Sequence, residues 1–551
     1  MSLPLDLRRR LKQSRITQNG VGGLQELDSF IAGIDDQQER RECYWQGLLD
    51  LQDRRRAACY FDGLGTTRSL SDQIAYAKFL WTMGDITAAH AVMPHDAPLG
   101  PKAAALSKAL QNQAALFRRL AISSRAEVPA RIYRLARQMI PPQPGSGTAF
   151  YTGQLGPGGA ERQFAHLALA LHKKKGPTVS VAVRHTDAAR RGDFHAKTLI
   201  NGGLRPDVLT DIAHSPDGEP KDTDLQDLLD CLHESVRAPV LKLAHIWNAK
   251  RPQSAFLWQD GGVLIGALAA ALSAVPRIVT SFRGLPPNMR PPLYKPEYEP
   301  LYQELSHDPN VAFTSNSAAT AAAYCDWLTL PKSRFQMIKN AVSKPSSTGN
   351  AAARRLWTNI QSHLNHDTKI VIGVFRCEAV KQPDLWFEAA CRTVEQTDDI
   401  CFIHVGHGTP SAEIQTRVSN TRLKTRIFQI GLSECVGFWL AQADLFLHLA
   451  RQEGSPNAVI EAQLSRVPVL ATPAGGTVET VIDKVSGCLF PNTSPSARDV
   501  ADRIVDLLSR PGTLHQYADV AARDALRVHA PNAVIARVEA LLDTPAKRIA
   551  A

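Results

Sequence analysis

The stretch Arg451-Gln452-Glu453-Gly454-Ser455-Pro456-Asn457-Ala458-Val459-Ile460-Glu461-Ala462 sets two glutamates seven intervening residues apart. The first lies in a Gly/Ser/Pro/Asn loop, and the second falls inside an expected short helix. The preceding run Ala443–Leu449 is apolar and strand-like, and Arg466–Thr472 forms another such run that leads into Gly475-Gly476. Strand, turn, helix, strand, glycine turn is the grammar of a parallel α/β sheet, in which ligands sit at strand C-termini. Carboxylates at the two ends of such a turn can hold two hydroxyl-rich parts of one ligand, such as a sugar and a ribose. Either glutamate alone reads as a helix cap or a solvated residue. The whole string points to a ligand.

At 551 residues the chain is too long for one ordinary domain, and length alone suggests about three or four. A hydrophobic content of 44% and an aromatic content of 7% suit a globular protein with a sizeable core. Nine cysteines are scattered from Cys43 to Cys488 with no Cys-x-x-Cys pair. That reads as reduced thiols, not as a disulfide or zinc framework. Met1–Arg10 lacks the apolar core of a signal peptide. The best membrane-span candidate, Val263–Val275, is shorter than the ~20 residues required and reads as a buried helix. A cytoplasmic protein is therefore expected. The net charge of +10 includes clusters at Arg8-Arg9-Arg10, Arg54-Arg55-Arg56 and Lys173-Lys174-Lys175. These read first as solvated faces. The functional alternative is peripheral contact with an anionic surface, on the cytoplasmic face of the inner membrane, at about 1 kcal/mol per basic residue. Nucleic acid is not expected, because no zinc finger, RNA-recognition signature or aromatic–basic stripe occurs.

Residues 1–142 contain little strand pattern and read as a helical N-terminal extension. Ser71–Ala91 resembles one helix-turn-helix unit of a tetratricopeptide repeat, broken at Gly84-Asp85, where stable arrays need about three. Its stripe of Tyr76, Phe79 and Leu80 reads as core. A protein partner for this extension is a further expectation. Pro141–Gly147 is a Pro/Gly/Ser linker. Beyond it, residues 147–345 alternate strands (Thr148–Tyr151, Pro177–Val183, Ser254–Trp258, Arg277–Phe282) with helices, as in a doubly wound α/β domain. A second series over 367–530 has strands at Lys369–Phe375, Cys401–Val405, Arg426–Ile430, Asp444–Leu449 and Pro468–Ala471. Residues 531–551 form a helix and tail.

Paired glutamates at this spacing, the Pro468-Val469 strand and the turn Gly475-Gly476-x-x-Glu479 together resemble the Glu-x7-Glu signature of retaining GT-B glycosyltransferases. The resemblance is closest to glycosyltransferase family 4, the glycosyl transferases group 1, and covers about residues 148–545. It implies two Rossmann-like domains facing a cleft, with 147–345 on the acceptor side and 367–530 binding a nucleotide sugar. The last helix often crosses back to the first domain in such proteins. The implied activity is retaining, metal-independent transfer of a sugar to a saccharide or lipid-linked acceptor, in surface polysaccharide or glycolipid assembly.

Residue by residue, the resemblance carries over as follows. In Gly156-Pro157-Gly158-Gly159-Ala160-Glu161-Arg162, glycines at a helix N-terminus let backbone amides approach a phosphate; Gly158 and Gly159 would contact the donor diphosphate. Arg376, at the end of a strand, and Lys381, expected to start a helix, match a pair that stabilises the leaving diphosphate in place of a metal ion. The arginine offers a bidentate fork and the lysine a point charge. Glu461 would accept bonds from the donor ribose, while Glu453, Gly454, Ser455, Pro456 and Asn457 would surround the transferred sugar. Asp260 is a candidate catalytic residue where family members carry a histidine nearby, and Arg283 stands where another histidine is frequent. Asp260 and Arg283 read equally as a structural ion pair. His448 reads as a satisfied buried histidine. Asp222-Thr223-Asp224 matches the Asp-x-Asp pattern of metal-dependent transferases but looks like a helix cap, so no metal is expected. Two alternatives stand beside the transferase: a GT-B nucleotide-sugar epimerase, and a catalytically inactive scaffold.

Overall fold

Strands of this chain are short, almost wholly buried apolar runs, and they assemble into two separate parallel sheets. The computed structural model describes residues 3–547 apart from 5–6, 9–10, 12–19, 52–53, 66–67, 187–191, 214–218, 291–292 and 421. Arg9 and Arg10 of the first basic cluster, the outermost residues at each end and the side chains of Arg54 and Arg55 lie outside the described residues.

The first sheet is built from β1 (Thr148–Thr152), β2 (Val179–Val183), β3 (Asp207–Val208), β4 (Ser254–Trp258), β5 (Arg277–Phe282), β6 (Val311–Ser315) and β7 (Phe335–Met337). Its spatial order is β3-β2-β1-β4-β5-β6-β7, with every neighbouring pair parallel. The second sheet uses β8 (Lys369–Val374), β9 (Ile400–Val405), β10 (Ile427–Gly431), β11 (Leu445–His448), β12 (Val469–Ala471) and β13 (Cys488–Leu489). Its order is β10-β9-β8-β11-β12-β13, again all parallel. Both orders reverse beside the first strand, the position where doubly wound folds open a ligand crevice. Helices cover both faces, so β1, β4, β5, β9 and β11 are buried along their full length.

The helical N-terminal region shares its core with the first sheet. One apolar cluster runs from Trp45 through Tyr76, Phe79 and Leu80 to Val263, Leu268 and Phe313. Helices Leu70–Thr82 and Ile86–Val92 are separated at Gly84, whose φ of +88° is a left-handed conformation suited to glycine. Polar pins fix the region further. Tyr133 donates to Asp308 at 2.6 Å, Arg137 pairs with Asp308 at 3.3 Å, and the buried Arg125 pairs with Glu297 at 3.1 Å.

At the other end, helix Pro531–Leu542 returns to the first sheet and buries Val534, Val538 and Leu542 against Phe150, Phe256 and Val279. Lys174 and Lys175 of the third basic cluster pair with Glu539 and Asp543 of this returning segment. Asp222 caps the helix Thr223–Asp230 by accepting from the Leu225 amide at 2.9 Å. Among the described residues no helix is long and apolar enough to cross a membrane. The apolar run begun at Val263 belongs to helix Gln259–Leu272, buried from Gly262 to Leu272.

Candidate functional site

The C-terminal ends of both sets of strands converge on one cleft. A cavity of about 540 Å³ is lined by Gln259 after β4, Asn316 after β6, Phe375 and Arg376 after β8, Gly406 after β9 and His448 at the end of β11. Its size lies within the roughly 300–1,000 Å³ of small-molecule sites. Gly158, Gly159, Arg376, Lys381, Glu453, Gly454, Ser455, Pro456, Asn457 and Glu461 all line it. Sequence reading placed these ten residues at one ligand, and the fold brings them together from three separate segments.

Glu453 is the electrostatic centre of the second lobe. Its Oε1 receives a bond from Lys381 and another from His448 Nε2 at 3.0 Å. Burial pushes this carboxyl up, but the Lys381 charge and the His448 contact outweigh burial and hold it down at about 2. It therefore stays ionised although little of it is exposed. His448 is buried, as expected, and its partner is a site carboxylate. Lys381 lies in the 3-10 turn Ala379–Lys381 instead of opening the helix, which starts at Pro383. Gln382, with φ of +50°, separates the two and removes Lys381 from the unfavourable positive end of that helix. Arg376 is less enclosed: its side chain is 42% exposed and pairs with Glu378 at 3.2 Å.

The loop carrying Glu453 is packed so closely that only glycine fits at its neighbours. A Cβ on Gly475 (φ +48°) would sit 1.9 Å from the Glu453 carbonyl oxygen, and one on Gly454 would sit 2.2 Å from that of Arg283. The second contact spans the two lobes.

Glu461, on helix Asn457–Leu464, faces the other way. Arg162 of the first lobe meets it, Nη2 to Oε1 at 2.6 Å. Burial raises the Glu461 carboxyl, and the Arg162 charge only partly offsets this. Asn457 also bridges the lobes: it donates to the Gly159 carbonyl at 3.0 Å and accepts from Asn340 at 2.6 Å. Asn340 in turn accepts from Arg283. Nearby, Glu479 accepts from the Ala319 amide at 2.9 Å and from Lys339 at 2.7 Å. The second lobe thereby caps a first-lobe helix, Ala318–Leu328. Sequence reading missed Arg162, Lys339 and Asn340. Arg162 was quoted within the glycine turn and carried a signal, because the first turn of a helix entering a cleft presents its side chains there.

Asp260 stands apart. It lines an adjacent cavity and not the one above. Tyr302 and Tyr324 donate to its Oδ1 at 3.0 and 2.6 Å, and Arg290 pairs with its Oδ2 at 2.8 Å. The ion pair imagined between Asp260 and Arg283 is made with Arg290 instead. Arg283 lies over the Trp258 ring at 4.6 Å, and burial lowers it to about 9. Glu161, also unassigned from sequence, lines both cavities; burial raises its carboxyl, with Gln259 at 3.4 Å as a weak partner.

Comparison with known proteins matches residues 357–524 to the glycosyl transferases group 1 family. The chain is 34% identical over 374 residues to the Vi polysaccharide biosynthesis protein VipC/TviE of Salmonella typhi, covering 65% of each protein. It thus spans just under two thirds of that relative's length. A poly(ribitol-phosphate) alpha-N-acetylglucosaminyltransferase of Staphylococcus aureus is 23% identical over 178 residues, 32% of this chain and 36% of that one. Among solved structures, Anabaena HepE in complex with UDP and glucose superposes with a TM-score of 0.57 at 17% identity, over 72% of this chain and all of that one. Sucrose-phosphate synthase of Thermosynechococcus elongatus gives 0.54 at 17% identity, over 72% of this chain and 98% of that one. At such identities the likeness speaks for the fold alone. Residues 357–524 thus resemble the glycosyl transferases group 1 family, and the two facing lobes have the GT-B fold.

Proposed function

We propose that this protein is a glycosyltransferase that moves a sugar from a nucleotide-sugar donor to a saccharide or lipid-linked acceptor in surface polysaccharide assembly. The observation that carries the reading is the cleft in which Arg376, Lys381, Glu453 and Glu461 meet the glycine turn at Gly158-Gly159. Fixed cations beside backbone amides at a helix N-terminus suit a diphosphate. A buried, ionised Glu453 and a second carboxylate at Glu461 suit hydroxyl-rich groups at either end of it. The family relation and the name of the Salmonella relative support polysaccharide assembly as the setting.

In the proposed reaction the bond from the sugar's anomeric carbon to the diphosphate oxygen breaks, and a bond to an acceptor hydroxyl oxygen forms on the same face. The acceptor proton passes to the departing phosphate oxygen. Arg376 and Lys381 neutralise charge as it develops on the diphosphate, which replaces Glu453 as the partner of Lys381. The protein supplies position and preorganised charge. In this proposal those two side chains do the work that a divalent ion does elsewhere.

The test uses the purified full chain, a panel of nucleotide sugars and EDTA. A donor should raise the unfolding midpoint by mass action. Nucleotide release should then depend on added acceptor, and NMR of the product should show the donor's anomeric configuration. Donor conversion without acceptor would favour epimerisation. Stabilisation by no nucleotide would favour a scaffold.

A further inference from the structure

We propose that the cavity beside the donor cleft recognises an anionic group of the acceptor, a carboxylate or a phosphate, through Lys295. The inference rests on the transfer reading above and names the chemical class of its second substrate. The cavity, of about 610 Å³, shares Gln154, Glu161, Gln259 and Arg283 with the donor cleft, so the two spaces share a wall. An acceptor lying in one would present its hydroxyl to a donor in the other. The helical N-terminal region closes its far side with Thr82, Met83 and Arg125. Shape therefore comes from a part of the chain that lies outside the two sheets.

Charge gives the class. Two carboxylates in this cavity are already engaged: Glu297 pairs with Arg125, and Asp260 with Arg290. Glu161 is the third, and burial disfavours its ionised form. On the cationic side, donors are left over. Arg283 and Arg290 each have a buried Nε without an acceptor. The Lys295 ammonium makes no hydrogen bond or ion pair with the described residues, Glu297 acting on it only at longer range. Burial pushes the Lys295 ammonium down, and Arg184 and Arg125 push it further against the pull of Glu297. A half-buried ammonium without a close counter-ion, in a cavity also lined by the Arg283 and Arg290 guanidinium groups, carries a desolvation cost that a neutral sugar would not relieve. An anion relieves it, with charge-assisted bonds roughly twice as strong as neutral ones.

The test titrates the full chain, saturated with whichever nucleotide of the panel stabilises it, with methyl glucuronoside, methyl glucoside and inorganic phosphate, and reads the unfolding midpoint and isothermal heats. An anionic probe should bind, and the glucoside should bind at least about tenfold more weakly. Lys295→Met should reduce the anionic probe's affinity by about tenfold, and Lys295→Arg should restore most of it. Binding by the glucuronoside alone would assign a carboxylate, and by phosphate alone a phosphate. Equal binding of charged and neutral probes to the unaltered protein overturns the inference, as does anion binding indifferent to Lys295→Met. Nucleotide stabilisation is read separately: its absence across the whole panel in the unaltered protein defeats the transfer reading, while its presence without anion binding defeats only this one. If Lys295→Met fails to fold, the contrast between charged and neutral probes on the unaltered protein decides.

Discussion

Two glutamates of one short segment, Glu461 buried and Glu453 nearly so, are shifted in opposite directions. Glu453 draws its partners, Lys381 and His448, from its own lobe, and the pair of contacts holds it ionised. Glu461 draws Arg162 from the opposite lobe, and burial still raises it. One carboxylate is finished within the second lobe. The other is completed only where the lobes meet. The same spacing in sequence thus serves two physical tasks, preorganised charge and contact across a cleft.

The largest effect expected from breaking this contrast is on turnover. Glu453→Gln and Lys381→Ala should each lower donor turnover by about 10²–10³-fold, because each removes fixed charge from the cleft. Steady-state nucleotide release measures this, with circular dichroism to confirm folding. Turnover within threefold of the parent would be incompatible with the proposed site.

Arg162→Met should act differently. It leaves a buried carboxyl with no cation, costing about 1–3 kcal/mol near neutral pH. Because burial raises the Glu461 carboxyl, it can accept a proton, and the deficit should shrink as pH falls. Denaturant unfolding at several pH values measures it, and a deficit independent of pH would show that the contact is not electrostatic.

Gly454→Ala should cost about 1–3 kcal/mol through overpacking, since its Cβ would meet the Arg283 carbonyl across the lobes. The thermal midpoint reports it.

The smallest effect is the intrinsic pH profile. Glu453 sits below its ordinary value of 4.5, at about 2. Its contribution to stability is therefore complete above pH 4.5 and is lost as pH falls toward 2. Glu461, raised, contributes in the opposite sense: its burden grows as pH rises through 4.5. Acid titration of unfolding free energy should lose its low-pH slope in Glu453→Gln and keep it in Glu461→Gln.

Much of this was legible in the residues. Apolar runs bounded by glycine and proline placed β4 and β5 to the residue, and the glycine break at Gly84 divided its two helices. Four strands escaped notice. β3 and β13 are two residues each, β7 is three, and β6 ends in Thr314-Ser315, so none shows a sustained apolar period. At the site, residues within one motif were read together because their spacing is fixed by local geometry. Arg162, Lys339 and Asn340 act on groups more than a hundred positions away in the chain. Spacing says nothing about such pairs. The ion-pair alternative for Asp260 named Arg283, not Arg290, for the same reason, since both arginines follow β5 and only the fold decides which one turns back.

The return of helix Pro531–Leu542 to the first sheet has a mechanical consequence. The polypeptide leaves the first lobe near residue 340 and re-enters it near residue 530, and these two crossings are bonded to each other. The Val342 amide donates to the His529 carbonyl at 3.1 Å, and His529 Nδ1 meets the Asn340 carbonyl at 2.9 Å. Both tethers therefore coincide at one pivot. Any movement of one lobe on the other must therefore bend both covalent crossings at the same place.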